Sequence, residues 1–132
     1  MSKIVNLSEA ASIALHGMVL IARSETMLNV IQIAEMTATS KHHVAKVLQR
    51  LVKVGLLFSH RGPTGGFSLK KKPEEVTLLE LYETIEGKIE ITACPLDKPI
   101  CAFDKCLMEN KINVITLEFR DFLKSRTVAD YL

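Results

Sequence analysis

Two capped, apolar-periodic segments lie so close together near the middle of the chain that they fit only as short helices joined by a tight turn. Asn29, followed three residues later by Gln32, has the form of a capping box, and Ile31, Ile33 and Ala34 carry the apolar pattern to about Met36. Ser40 opens the next segment, in which Val44, Val47, Leu48 and Leu51 recur at helical spacing and Gly55 supplies a left-handed stop. Only residues 37–39 separate the two, so the pattern predicts a helix-turn-helix. Beyond Gly55, the apolar run 56–60, the turn-forming 61–66 and then Phe67, Ser68 and Leu69 read as two short strands joined by a glycine-rich turn. A hairpin in that place is a wing.

The flanking chain completes a mainly α fold with this one small β-hairpin. Ser8 can cap an N-terminal helix whose Ala10, Ile13, Ala14, Met18 and Ile21 give it a buried face as far as about Arg23. Thr77 with Glu80 forms another candidate capping box before Leu78, Leu81, Tyr82 and Ile85, and that helix should stop at Gly87. A last long helix is expected to begin near Cys106. In it Met108, Ile112, Ile115, Phe119 and Phe122 are spaced four, three, four and three, a seam that suits either a second helix or the chain's own core. At 132 residues, 48% hydrophobic and 24% charged, the chain has material for one folded domain with one appended element. It divides into residues 1–87, a winged helix-turn-helix; residues 88–106, a cysteine loop with Pro95 and Pro99; and residues 107–132, a long helix and tail. No signal-peptide pattern is present and the longest aliphatic stretch, residues 18–22, is too short to span a bilayer, so a cytoplasmic protein away from membranes is expected.

A formal net charge of +2 conceals a strong asymmetry. Residues 36–73 carry eight basic side chains (Lys41, Lys46, Arg50, Lys53, Arg61, Lys70, Lys71 and Lys72) and no acidic one, leaving nine basic against 15 acidic residues elsewhere, a formal −6. A solvated face can be basic, but a basic helix-turn-helix also matches what phosphate neutralisation on double-stranded DNA requires. The first turn of the second helix, Ser40, Lys41, His42 and His43, would then enter the major groove, with Lys46 and Arg50 following on the basic face. Arg61 would stand at the wing tip, where a minor groove or backbone would lie. The glycines of the wing do not form a phosphate-binding loop, because the required lysine and hydroxyl residue do not follow them. No nucleophile with a matched base and no paired carboxylates on one element point to an enzyme.

The three cysteines, Cys94, Cys101 and Cys106, are spaced C-x6-C-x4-C. Three thiolates so placed can bind one soft centre and leave a position for a fourth ligand. Spacing alone leaves zinc, an iron-sulfur cluster and a bare redox thiol group equally open.

The helix-turn-helix, the Arg-Gly-Pro-x-Gly-Gly run at 61–66 followed by Phe67, the Leu-Tyr-x-x-Ile-Glu-Gly helix end at 81–87, the three-cysteine segment and the long last helix together resemble the Rrf2 family of bacterial repressors. The resemblance covers nearly the whole chain. It implies a homodimer on a palindromic operator, with residues 107–132 as the dimerisation helix and tail, and an iron-sulfur cluster held by Cys94, Cys101 and Cys106. One branch of the family places a histidine three residues after the last cysteine, where this chain has Glu109. Another completes a 4Fe-4S cluster with a carboxylate from the N-terminal helix of the partner subunit, and the matching position is Glu9. The resemblance therefore favours Glu9 as fourth ligand and 4Fe-4S over 2Fe-2S, with Glu109 the alternative and His16, two turns beyond Glu9, an outside candidate. An acidic residue used for reading DNA in the first branch is replaced by Ala45, so a different operator preference is expected. The expected function is a DNA-binding regulator, a repressor in the family's pattern, switched by a cluster that responds to nitric oxide, redox state or iron-sulfur supply. The alternatives are zinc or thiol-only switching on the same fold, and an iron-sulfur carrier whose basic region meets an acidic partner.

Overall fold

The computed structural model describes residues 1–92, 94 and 102–132. Each of the first four helices starts at a side chain that accepts a backbone N–H otherwise left without a partner. Ser8 Oγ accepts from Ala11 ahead of α1 (Glu9–Arg23), and Asn29 and Gln32 close a reciprocal box ahead of α2 (Val30–Thr37). Ser40 Oγ accepts from His43 to open α3 (Lys41–Lys53), and Thr77 accepts from Glu80 to open α4 (Leu78–Glu86). The wing is β1 (Leu57–His60) paired antiparallel with β2 (Gly66–Leu69), Leu57 opposite Leu69 and His60 opposite Gly66. The last helix, α5, spans Lys111–Ser125.

One apolar core joins these elements. Ile13 and Met18 of α1, Ile33 of α2, Leu48 and Leu51 of α3 and Leu81 of α4 are buried together with Leu56 and Leu57 at the entry to the wing. The helix α1 lies against α2, α3 and α4, and α5 packs on α4. The chain then returns to the body. Val128 N–H donates to Val76 O (2.9 Å), Leu78 N–H donates to Arg126 O (3.0 Å), and the Val128 side chain is buried. Among the described residues no helix is long and apolar enough to cross a membrane.

Three boundaries differ from the sequence reading. α2 runs through Thr37 and is closed by Ala38 in the left-handed region (φ 53°), which shortens the turn. β1 starts at Leu57, one residue later, with the buried Leu56 preceding it and accepting from Lys70 N–H (3.0 Å). α5 starts at Lys111 and not near Cys106: Glu109 (φ 48°) and Asn110 (φ 65°) are left-handed, and successive tight turns, Glu109 N–H to Cys106 O and Lys111 N–H to Met108 O, replace its first turn. The expected apolar seam is also divided. Phe119 turns inward, its ring edge-on to Tyr82 with centroids 6.2 Å apart, while Met108, Ile112, Ile115 and Phe122 remain exposed.

Candidate nucleic-acid interface and cysteine segment

The first turn of α3 presents two exposed basic side chains for which no tie is seen among the described residues. Lys41 and His42 are exposed, Lys46 is exposed one turn further on, and Ser40 holds the helix start through the N–H of His43 (3.1 Å). The opposite face, Val44, Val47, Leu48 and Leu51, is buried, so the core fixes which way the basic face looks.

The wing is held by its backbone. Phe67 is buried and its N–H donates to Leu28 O (2.9 Å), which binds β2 to the segment entering α2. A Cβ at Gly66 would lie 2.5 Å from Leu28 O, and one at Gly65 would lie 2.2 Å from His60 O, so both approaches require glycine. Arg61 is exposed at the start of the turn, which Gly65 N–H closes onto Gly62 O (3.0 Å). Of the three lysines after β2, Lys70 lies 5.4 Å from the centre of the Phe58 ring and Lys71 pairs with Glu80 at 3.2 Å.

Besides Ser40, which caps α3, two of the candidate DNA contacts are engaged inside the chain. Arg50, grouped by spacing with Lys46, reaches α4: its Nη2 donates to Thr84 O (2.8 Å) and Ile85 O (3.2 Å), unpaired carbonyls of that helix's last turn. Spacing along α3 carried no information about where the end of α4 would fall. His43 Nδ1 donates to Glu9 Oε1 at 2.7 Å, with side chains 35% and 60% exposed. The structure thus joins a candidate DNA contact to a candidate metal ligand. Ser8, beside Glu9, also donates its hydroxyl to the carboxylate of Glu86, the last residue of α4, ahead of Gly87 and the cysteine segment.

In that segment, Cys94 and Cys106 are free and exposed, whereas Cys101 lies outside the described residues. The backbone N–H groups of Met108 and Asn110 hold the Cys106 thiol below the ordinary cysteine range. The N–H of Glu109 adds to this, against slight desolvation and the Glu109 carboxylate. Glu109 itself pairs with Lys105 (2.9 Å). Among the described residues no three His, Cys, Asp or Glu side chains converge on one point, so Glu9 does not meet Cys94 and Cys106 within one chain. Glu9 and His16 instead line an open groove of about 720 Å³ along α1, with Leu15, Val19, Leu20 and Tyr131. His16 Nδ1 is bound to Ser12 O of its own helix (2.7 Å).

Sequence reasoning missed Asn113. It is the one buried polar side chain among the described residues, and its Nδ2 donates to Thr92 O (2.7 Å) and Asn110 Oδ1 (2.9 Å), tying the two ends of the cysteine segment. The available signal was an amide between Ile112 and Val114 in an otherwise apolar stretch.

Comparison with known proteins agrees with this architecture. The regulator NsrR of Bacillus subtilis is 30% identical over 110 residues, 82% of this chain and 75% of that protein. The NsrR of Shouchella clausii is 35% identical over 101 residues, 75% of this chain and 68% of that one. Among solved structures, CymR, the global cysteine regulator of B. subtilis, superposes with a TM-score of 0.78 at 23% identity, covering 96% of this chain and 95% of that one, a likeness of fold. Residues 7–132 match the family described as "Iron-dependent Transcriptional regulator", and the chain belongs to that family, Rrf2.

Proposed function

We propose that the protein is a homodimeric repressor that binds a palindromic operator in double-stranded DNA, with its grip set by an iron-sulfur cluster. The reading surface is Ser40, Lys41, His42 and Lys46 of α3 with Arg61 of the wing, and His43 joins it when released from Glu9. Arg50 stands behind it as a brace on α4. Such a surface fits DNA because exposed cations at the start of a rigid helix meet base edges while the wing arginine meets phosphate or a minor groove. Two copies are needed to read a palindrome, and the outward Ile112, Ile115 and Phe122 of α5 give a second copy an apolar surface to cover.

Cys94, Cys101 and Cys106 would hold the cluster, with Glu9 of the partner subunit as fourth ligand and 4Fe-4S favoured over 2Fe-2S. The donor chemistry fits. Cys94 and Cys106 are unpaired and open to solvent, and the N–H groups around Cys106 favour the thiolate that ligation requires. The position of Glu9 on a groove away from its own chain's described cysteines suits a ligand given to a second copy. A bound cluster supplies an iron centre reactive towards nitric oxide and oxidants, and the chain's part is to couple that centre to the placement of α3. The observation that carries the reading is a pair of free, exposed cysteines, Cys94 and Cys106, in the same short chain as an exposed basic reading helix. Anaerobic purification with iron and sulfide analysis tests it. A brown, iron- and sulfide-containing protein is expected; a colourless one that cannot be reconstituted overturns the cluster.

The exposed, thiolate-favouring Cys106 also supports a second reading, thiol-only switching on the same DNA-binding fold. It predicts operator binding that responds to thiol oxidants in protein free of iron and zinc. A carrier protein, in contrast, would bind DNA weakly and without sequence preference in a gel-shift titration.

A further inference from the structure

Glu9 stands where two demands meet. It is the first residue of α1, beside the Ser8 hydroxyl that holds the end of α4, and its carboxylate accepts from His43 in the first turn of α3. The two residues are 34 apart in sequence, so the bond fastens the start of the reading helix to the start of α1. An imidazole that donates through Nδ1 to a carboxylate is fixed in one tautomer and one orientation, with only Nε2 left for another contact.

We infer that Glu9 and His43 form a latch: in the cluster-free chain Glu9 turns His43 towards α1 and withholds it from DNA, and drawing Glu9 away frees the imidazole for the groove. The trigger rests on the reading of Glu9 as fourth ligand. The latch does not, because the pair exists in the chain alone. Ligation supplies the release, since a carboxylate oriented towards a metal centre in the partner subunit leaves the geometry that holds His43. Lys41 and His42 are already exposed while Glu9 holds His43, so the latch adds or removes one contact on a surface that is already present.

The test is a double-mutant cycle in the metal-free, full-length protein, using fluorescence anisotropy on a duplex that the wild type enriches from a random pool. Glu9→Ala is expected to tighten binding about fivefold, the low end of ordinary coupling between sites. His43→Ala should weaken it slightly and abolish the gain from Glu9→Ala. A gain that survives in the His43→Ala background is the loss of one negative charge near the phosphates and overturns the latch, as does no gain at all. Histidine-detected NMR reads the pair without DNA: wild-type His43 should be protonated at Nδ1, and Glu9→Ala should return it to a mixture of tautomers. A wild-type spectrum with His43 protonated at Nε2 overturns the latch whatever the DNA result. If no duplex is enriched with or without a cluster, the DNA reading fails and the latch falls with it; enrichment with additive single-variant effects removes the latch alone.

Discussion

Arg50 and Arg61 are both exposed arginines of the basic segment, and the structure gives them different work. Arg50 donates twice to carbonyls at the end of α4, a bond that forms only once α3 and α4 have packed. Arg50→Ala should therefore lower the unfolding free energy by about 1 kcal/mol, the value of charged hydrogen bonds discounted for solvent exposure, with an unchanged denaturant slope. The salt dependence of DNA binding should stay as in the wild type. Arg61→Ala should do the reverse: stability within about 0.5 kcal/mol of wild type, and a slope of log affinity against log salt reduced by about one, as for a lost phosphate contact. Equilibrium urea titration and anisotropy at several salt concentrations measure both variants. The sequence could not separate these arginines, since charge and helical spacing describe one element while Arg50's partner lies on another. The same reason hid the Glu9–His43 pair, although both residues were legible as candidates one at a time.

At the scale of elements, what was legible was local chemistry. Ser8, Asn29 with Gln32, Ser40 and Thr77 each mark a helix start because the cap is made within three residues. The start of α5 was not legible in this way. Asn110 has no side-chain cap, and the helix is delayed by left-handed backbone at Glu109 and Asn110. The wing shows a local rule with a tertiary cause. Its glycines signal a turn, but at Gly66 the need comes from Leu28, whose carbonyl carbon and oxygen would lie 2.7 and 2.5 Å from an added Cβ. Backbone cannot yield as a flexible side chain can. Gly66→Ala is expected to cost about 2 kcal/mol or more and to loosen β2 from the segment before α2. Hydrogen exchange at Phe67 N–H, which bonds to Leu28 O, reports it directly: faster exchange there, with the α1 and α3 amides shifted only by the global loss.

At the scale of the whole molecule, the described residues of one chain leave two apolar surfaces open. The groove along α1 is lined by Leu15, Val19 and Leu20, and α5 turns Ile112, Ile115 and Phe122 outward while Phe119 and Leu123 hold it to the body. The sequence seam on α5 was read as serving either a second helix or the chain's own core, and in the structure the stripe is shared between the two sides. A stable dimer needs on the order of 1,200–2,000 Å² of total buried surface, more than one small stripe supplies, so both apolar surfaces are expected to take part. Ile115 lies mid-helix and is 39% exposed, so a charge there disturbs an interface before it disturbs the fold. Ile115→Glu should shift the protein from dimer to monomer in sedimentation velocity, with thermal unfolding remaining cooperative. It should also weaken binding to a palindromic duplex by on the order of 100-fold, because two half-sites joined in one dimer gain from effective concentration. Binding to a single half-site should change little. A monomeric wild type, or an Ile115→Glu protein that remains dimeric with full affinity, would show that α5 is not the dimer contact and would remove the route by which the partner's Glu9 could reach the cysteine segment.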